Sequence, residues 1–131
     1  MEKEHVLLLV EDERPLAEAI KIKLRKEHFE VVTARSALQA MDYLTELGTV
    51  DAIWLDHYLL GKENGLDFVR KLKEEGGKWK NIPIFVVSNT AGPDKVHSYL
   101  QLGISKYYVK ADNRLDAIVS ELKKFLGKQG E

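Results

Sequence analysis

Residues Ala52 to Tyr58 read Ala-Ile-Trp-Leu-Asp-His-Tyr. Four apolar residues, Ala52, Ile53, Trp54 and Leu55, run straight into a carboxylate at Asp56. An unbroken apolar run of this length suits a strand buried on both faces, as in a parallel sheet. The charge at its end must stand where the sheet meets water, because burying an unpaired carboxylate is costly. In open parallel sheets, ligands bind beyond the carboxyl ends of the strands. Position alone therefore makes Asp56 a candidate site residue, set against the plainer role of capping the next loop.

The pattern recurs on both sides of this stretch. Toward the N-terminus, His5 to Val10 (HVLLLV) is a buried strand followed by the acids Glu11, Asp12 and Glu13. Arg14 and Pro15 open a first helix, since proline is tolerated in a first turn, and Leu16, Ile20 and Leu24 form its stripe. Glu30 to Thr33 is a short second strand. Ser36-Ala37-Leu38-Gln39 is a capping-box pattern that starts a second helix. Its inward residues are Ala37, Ala40 or Met41, Leu44 and Leu47, with Gly48 as the stop.

Beyond Asp56 the loop LLGKENG leads to a third helix marked by Leu66, Val69 and Leu72 and stopped by Gly76 and Gly77. Trp79 is expected to anchor its loop against that helix. Ile82 to Val87 (IPIFVV) is a fourth strand ending in Ser88, Asn89 and Thr90. Pro93 and Asp94 begin a fourth helix, with Val96, Tyr99 and Leu100 inward and Gly103 as its stop. Ser105 to Val109 is a fifth strand ending at Lys110. After Asp112 a fifth helix carries Leu115, Ile118, Val119, Leu122, Phe125 and Leu126 on one face, closed by Gly127.

Strands alternating with helices in this way predict an α/β fold, a parallel sheet covered on both faces. Periodicity leaves the strand order open, and 2-1-3-4-5 is one common doubly wound solution. In that order the first and third strands are neighbours, so Glu11 and Asp12 stand beside Asp56. The chain of 131 residues reads as one domain, residues 1–131 with a core of about 5–126.

Composition narrows the function. The formal net charge of -1 argues against a polyanion binder working by bulk charge, so no direct nucleic-acid binding is expected. Cysteine is absent, which excludes disulfides and thiolate chemistry and fits a reducing cytoplasm. No apolar run approaches the ~20 residues of a membrane span. His5, His28 and His97 lack metal-ligand spacing, and His57 reads as a solvent-facing loop residue. Ser88, His97 and Asp56 do not make a hydrolase triad, since no strained nucleophile turn surrounds Ser88. No glycine-rich nucleotide motif is present.

At the strand ends the sequence resembles a response-regulator receiver domain, the phosphoacceptor half of two-component signalling. The resemblance spans roughly His5 to Leu126 and rests on Glu11, Asp12, Asp56, Ser88 and Lys110, in order and in register with the strand-helix repeat. It implies a flavodoxin-like fold of order 2-1-3-4-5 with Asp56 as phosphoacceptor. It also implies Mg²⁺ or Mn²⁺ held by Asp12, Asp56 and the Tyr58 backbone carbonyl, with Glu11 acting through a water. Lys110 and Ser88 would contact phosphoryl oxygens. Ser88 and Tyr107, three residues before the lysine, would form the switch, while Tyr108 points into the core. The implied partners are a sensor histidine kinase or histidine phosphotransfer protein and a downstream protein target. The implied protein is a cytoplasmic single-domain regulator, a monomer or phosphorylation-dependent dimer, and not an enzyme beyond its own phosphorylation. The alternative is a phosphorylation-independent pseudo-receiver that only binds proteins. Clustered carboxylates should repel in the metal-free state, so removing Asp12 or Asp56 charge is expected to stabilise it.

Three departures stand out. Ala111 replaces the family's usual proline after the lysine. The need for Lys110 to reach Asp56 favours a cis bond there, although a non-proline cis bond costs ~2.5–4 kcal/mol. Leu60 occupies the usual proline position of the third loop, and Gly65 comes one residue late, which bears on the metal geometry. Tyr58 and Asn89 are expected to crowd the phosphoryl site and lengthen the life of an acyl phosphate.

Overall fold

The computed structural model describes residues 4–75 and 77–129. The five apolar runs become strands: β1 (Val6–Val10), β2 (Glu30–Ala34), β3 (Ala52–Leu55), β4 (Ile84–Ser88) and β5 (Lys106–Val109). They pair in parallel in the order β2-β1-β3-β4-β5. The helices are α1 (Arg14–Lys26), α2 (Ala37–Leu47), α3 (Gly65–Glu75), α4 (Pro93–Gln101) and α5 (Leu115–Gln129).

Alternation along each strand sends side chains to two layers. Leu8, Val10, Ile53, Leu55, Ile84 and Val86 pack with residues of α2, α3 and α4. Leu7, Leu9, Trp54, Phe85, Val87 and Tyr108 pack with α1 and α5. All four β3 side chains are buried, so β3 is fixed from both faces and its end cannot drift. That rigidity is what a site at Asp56 requires.

Local signals explain most helix ends. The Ser36 hydroxyl accepts from Gln39 N, and the Gln39 side chain accepts from Arg35 N, closing the box that starts α2. Asn64 and Asp67 do the same for α3, each side chain accepting from the other's backbone N–H. Gly48 (φ 86°) ends α2 with the backbone that L side chains avoid.

Some expected details differ. Leu47 and Leu100 are exposed, at the last turn of α2 and beside buried Tyr99. Adjacent positions on a helix point about 100° apart, so Leu100 cannot face the sheet alongside Tyr99. Helix α5 passes through Gly127 to Gln129, because a glycine raises the cost of a helix without forcing it to stop. Trp79 lies on a 3-10 turn and packs against the layer that includes Phe68, Val69 and Leu72 of α3, as expected, and its indole N–H also donates to the Gly48 carbonyl at the end of α2. Gly76, read as part of the α3 stop, lies outside the described residues.

The end of α1 carries a cost that the sequence pattern does not announce. His28 adopts φ 68° while its N–H donates to the Arg25 carbonyl and Phe29 N donates to the Leu24 carbonyl. This is a helix stop that usually takes glycine. His28→Gly is expected to raise unfolding free energy by about 0.5–1 kcal/mol in urea titrations. Equal or lower stability would show that the histidine ring compensates for its backbone.

Candidate functional site

Strand register builds the site. Val10 pairs with Leu55, so the residues after β1 and β3 emerge side by side. Asp56 N donates to the Val10 carbonyl and Glu11 N to the Ala34 carbonyl, both at 2.9 Å. The two acids thus continue the sheet's hydrogen bonding by one residue. Ser88 ends β4 opposite Val109, and Lys110 follows β5.

The Lys110 side chain reaches back across the sheet edge. Its Nζ lies 3.1 Å from Glu11 Oε1 and 3.5 Å from Asp56 Oδ1. Glu11 is 1% exposed and Asp56 5%, so two buried carboxylates share one ammonium. Burial, and then the charge of Asp56, push the Glu11 carboxyl above the ordinary glutamate range, while Lys110 opposes the rise. Glu11 Oε2 accepts from Glu13 N at 3.1 Å, and Asp56 Oδ1 accepts from His57 N at 2.9 Å.

Asp12 stands apart from this group. Its Oδ1 accepts from Arg35 Nη2 at 3.2 Å, and Arg35 Nε donates to its carbonyl at 3.3 Å. Among the described residues, no three acidic or histidine side chains converge closely enough to cage a cation as they stand. The donor set nevertheless suits a hard divalent ion, since all its atoms are oxygens and the register holds Glu11, Asp12 and Asp56 on adjacent strand ends.

The loop after Asp56 is stitched down at several points. His57 is buried, contrary to the solvent-facing role expected for it, and its Nδ1 shares a 2.7 Å hydrogen bond with Tyr99 Oη. The fully buried Tyr99 hydroxyl needs a polar partner, and His57 supplies it. Burial, then the charge of Lys95, hold the His57 pKa below its ordinary value. Leu60 N donates to the Arg35 carbonyl, and Ser36 and Leu60 form a parallel bridge, so the loop extends the β2 edge. Gly65 N then returns to the His57 carbonyl at 2.8 Å. A Cβ at Gly65 would stand 2.5 Å from Tyr99 Oη and 2.8 Å from the Asp56 carbonyl oxygen. The late glycine falls where α3 begins against the backbone of Asp56 and His57.

Ser88 is fully buried and its hydroxyl meets Lys95 Nζ at 3.4 Å. Asn89 is exposed, and so is the ring of Tyr58. Tyr107 is half-buried, donates its hydroxyl to the Thr90 carbonyl at 2.5 Å and packs 5.8 Å from the Tyr99 ring. Tyr108 is buried in the opposite layer. His97 is exposed on α4.

The Lys110–Ala111 bond is trans, correcting the expectation of a cis form: no cis peptide occurs among the described residues. The chain instead turns at once into a 3-10 segment, Lys110–Asp112, tied by Asn113 Nδ2 to the Val109 carbonyl at 3.0 Å. Lys110 reaches its carboxylates without the proline geometry.

Arg35, Tyr99 and Lys95 escaped the sequence reading as parts of this region. Lys95 alone left a hint: it is a cation in the first turn of α4, where the helix dipole disfavours positive charge.

A parallel sheet of this order, with acids and a lysine gathered at one carboxyl edge, defines the receiver class of α/β domain. The chain matches the family model of the response regulator receiver domain over residues 7–123 and belongs to that family. It is 32% identical over 105 residues to the chemotaxis protein CheY homolog of Campylobacter jejuni, 79% of each chain. Among solved structures, the phosphorylated cyanobacterial phytochrome response regulator RcpA superposes with a TM-score of 0.84 at 28% identity, over 95% of this chain and 94% of that one. The Mn²⁺-bound response regulator Rcp1 gives 0.79 at 25% identity, over 92% and 93%.

The crowding at Gly65 has a measurable consequence. Gly65→Ala is expected to destabilise the protein by roughly 1–3 kcal/mol, read from urea unfolding. Part of that cost should disappear in a Tyr99→Phe background, where the clashing hydroxyl is gone. Wild-type stability of Gly65→Ala would show that α3 can shift freely.

Proposed function

We propose that this receiver domain accepts a phosphoryl group on Asp56 from a sensor histidine kinase or histidine phosphotransfer protein. The observation that carries the reading is the buried Glu11–Lys110–Asp56 group at the edge of the parallel sheet. An Asp56 oxygen attacks phosphorus as the donor P–N bond breaks, and the donor imidazole leaves with its electron pair. Attack brings two anions together, and catalysis is then mainly positioning and electrostatics. Lys110 is already seated to follow charge from Asp56 to a phosphoryl oxygen. Ser88, at the neighbouring strand end, offers a hydroxyl to another.

Asp12, Asp56 and the Tyr58 carbonyl, with Glu11 through a water, are the residues that would hold Mg²⁺ or Mn²⁺. The bound ion would neutralise charge on the transferring group. Asp12, half-buried and paired with Arg35, would contribute its carboxylate to the ion. The Mn²⁺ in the Rcp1 structure supports a divalent ion in this class of domain.

Output is proposed to pass through Ser88 and Tyr107 to a protein target. The hydrogen bond from Tyr107 to the Thr90 carbonyl joins the aromatic to the loop that Ser88 begins. Slow loss of the acyl phosphate is proposed to follow from Tyr58, two residues after Asp56, whose ring is exposed and packs edge-on against His57.

Incubation with acetyl phosphate and Mg²⁺, followed by intact-mass analysis, tests the reading. A single phosphoryl adduct is expected on the wild-type chain, lost in Asp56→Asn and on chelation of the metal. No adduct, with no response of tryptophan fluorescence to Mg²⁺, would favour a phosphorylation-independent protein-binding module. Trp54, two residues before Asp56 and fully buried, is the natural reporter.

A further inference from the structure

Among the described residues, Lys95 is a cation with no carboxylate partner, and it belongs to no ion pair. Its ammonium is held by the hydroxyls of Ser88 and Thr90 and lies 5.2 Å from the centroid of the Tyr58 ring. All three partners are neutral: Tyr58 stands two residues after Asp56, Ser88 closes the neighbouring strand, and Thr90 follows two residues beyond it. Lys95 sits at the third residue of α4, where the positive end of the helix repels it. Pairing with a carboxylate elsewhere would satisfy the charge better. Its actual neighbours suit a cation that waits for an anion.

The charge balance supplies that anion. Glu11 and Asp56 share the one ammonium of Lys110, so that cation is already committed. A phosphoryl group adds further negative charge and strong acceptor oxygens. Lys110 approaches from β5 and is already shared by two carboxylates. The α4 side of the group would otherwise face only hydroxyls and an aromatic ring.

We infer that Lys95 is a second phosphoryl-contacting cation, a positioning residue that complements Lys110 from the α4 side. On transfer its ammonium leaves the Ser88 and Thr90 hydroxyls for a phosphoryl oxygen. The freed Ser88 hydroxyl then turns its proton toward the same group. The inference rests on Asp56 as the phosphoacceptor. A purely structural Lys95 would instead act as a clasp, restraining Ser88 in the resting state.

The two roles differ in the sign of one measurement. Adduct formation on Asp56 is followed by intact mass over a range of acetyl phosphate concentrations at fixed Mg²⁺, for wild type, Lys95→Met and Lys95→Arg. The P–O bond to acetate breaks as the Asp56 O–P bond forms, so no other reactant is needed. Lys95→Met is expected to slow formation at low donor roughly three- to tenfold, mostly by raising the half-saturating concentration. Lys95→Arg should recover most of the loss. Urea melts of the unphosphorylated variants establish that both remain folded, and Arg preserves the charge if Met disturbs α4. Formation at the wild-type rate or faster in Lys95→Met would overturn the inference, the faster case marking a clasp on Ser88. Absence of any adduct on the wild-type protein would overturn the phosphoacceptor reading itself, and the role of Lys95 with it.

Discussion

One ammonium group serves two buried carboxylates in this protein. Lys110 lies 3.1 Å from Glu11 and 3.5 Å from Asp56, and only 16% of its side chain is exposed. Each carboxylate would be expensive to bury alone, and each raises the cost of the other. The lysine offsets both penalties, yet it leaves the group short of positive charge. The proposed phosphoryl transfer draws on that shortfall. Loss of Lys110 would expose the conflict, while an added cation would relieve it.

The rest of the fold serves to hold this arrangement. Order β2-β1-β3-β4-β5 sets the acids of β1 beside Asp56 and leaves β5 two strands away from β3. That distance suits a long lysine side chain rather than a short one. The strands are clamped by an apolar layer on each face, so their ends are rigid reference points. The loops between them are fixed by specific contacts: Leu60 to Arg35, His57 to Tyr99 and Tyr107 to Thr90. Through Tyr99 and Lys95 the helix α4 is tied to the residues that flank Asp56. A change of charge at Asp56 therefore has short physical routes to that helix.

Much of this was legible in the chain itself. Continuous apolar runs marked the strands, and proline, capping or glycine signals marked the starts of α1, α2 and α4 and the ends of α2 and α4. The acids, hydroxyl and lysine at the strand ends pointed to a receiver through their order. What escaped were pairings that periodicity does not encode. His57 and Tyr99 are 42 residues apart, and nothing local says that the loop histidine turns inward to meet a helix tyrosine. Arg35 drew no reading from the sequence, although its guanidinium grips Asp12. The trans bond at Ala111 was misjudged because the turn that replaces the proline geometry depends on Asn113 bonding back to Val109.

The account stands most directly on the coupling between Lys110 and Asp56. A double-mutant cycle by urea unfolding, in chelator to keep divalent ions away, measures it. Lys110→Met should destabilise the otherwise wild-type protein by roughly 2–3 kcal/mol, because it strands two neighbouring buried acids. In an Asp56→Asn background the same substitution should cost at least about 1 kcal/mol less. Equal costs in the two backgrounds would mean that Lys110 and Asp56 do not share a charge balance. The description of the site as a phosphoacceptor waiting on further positive charge would then be wrong.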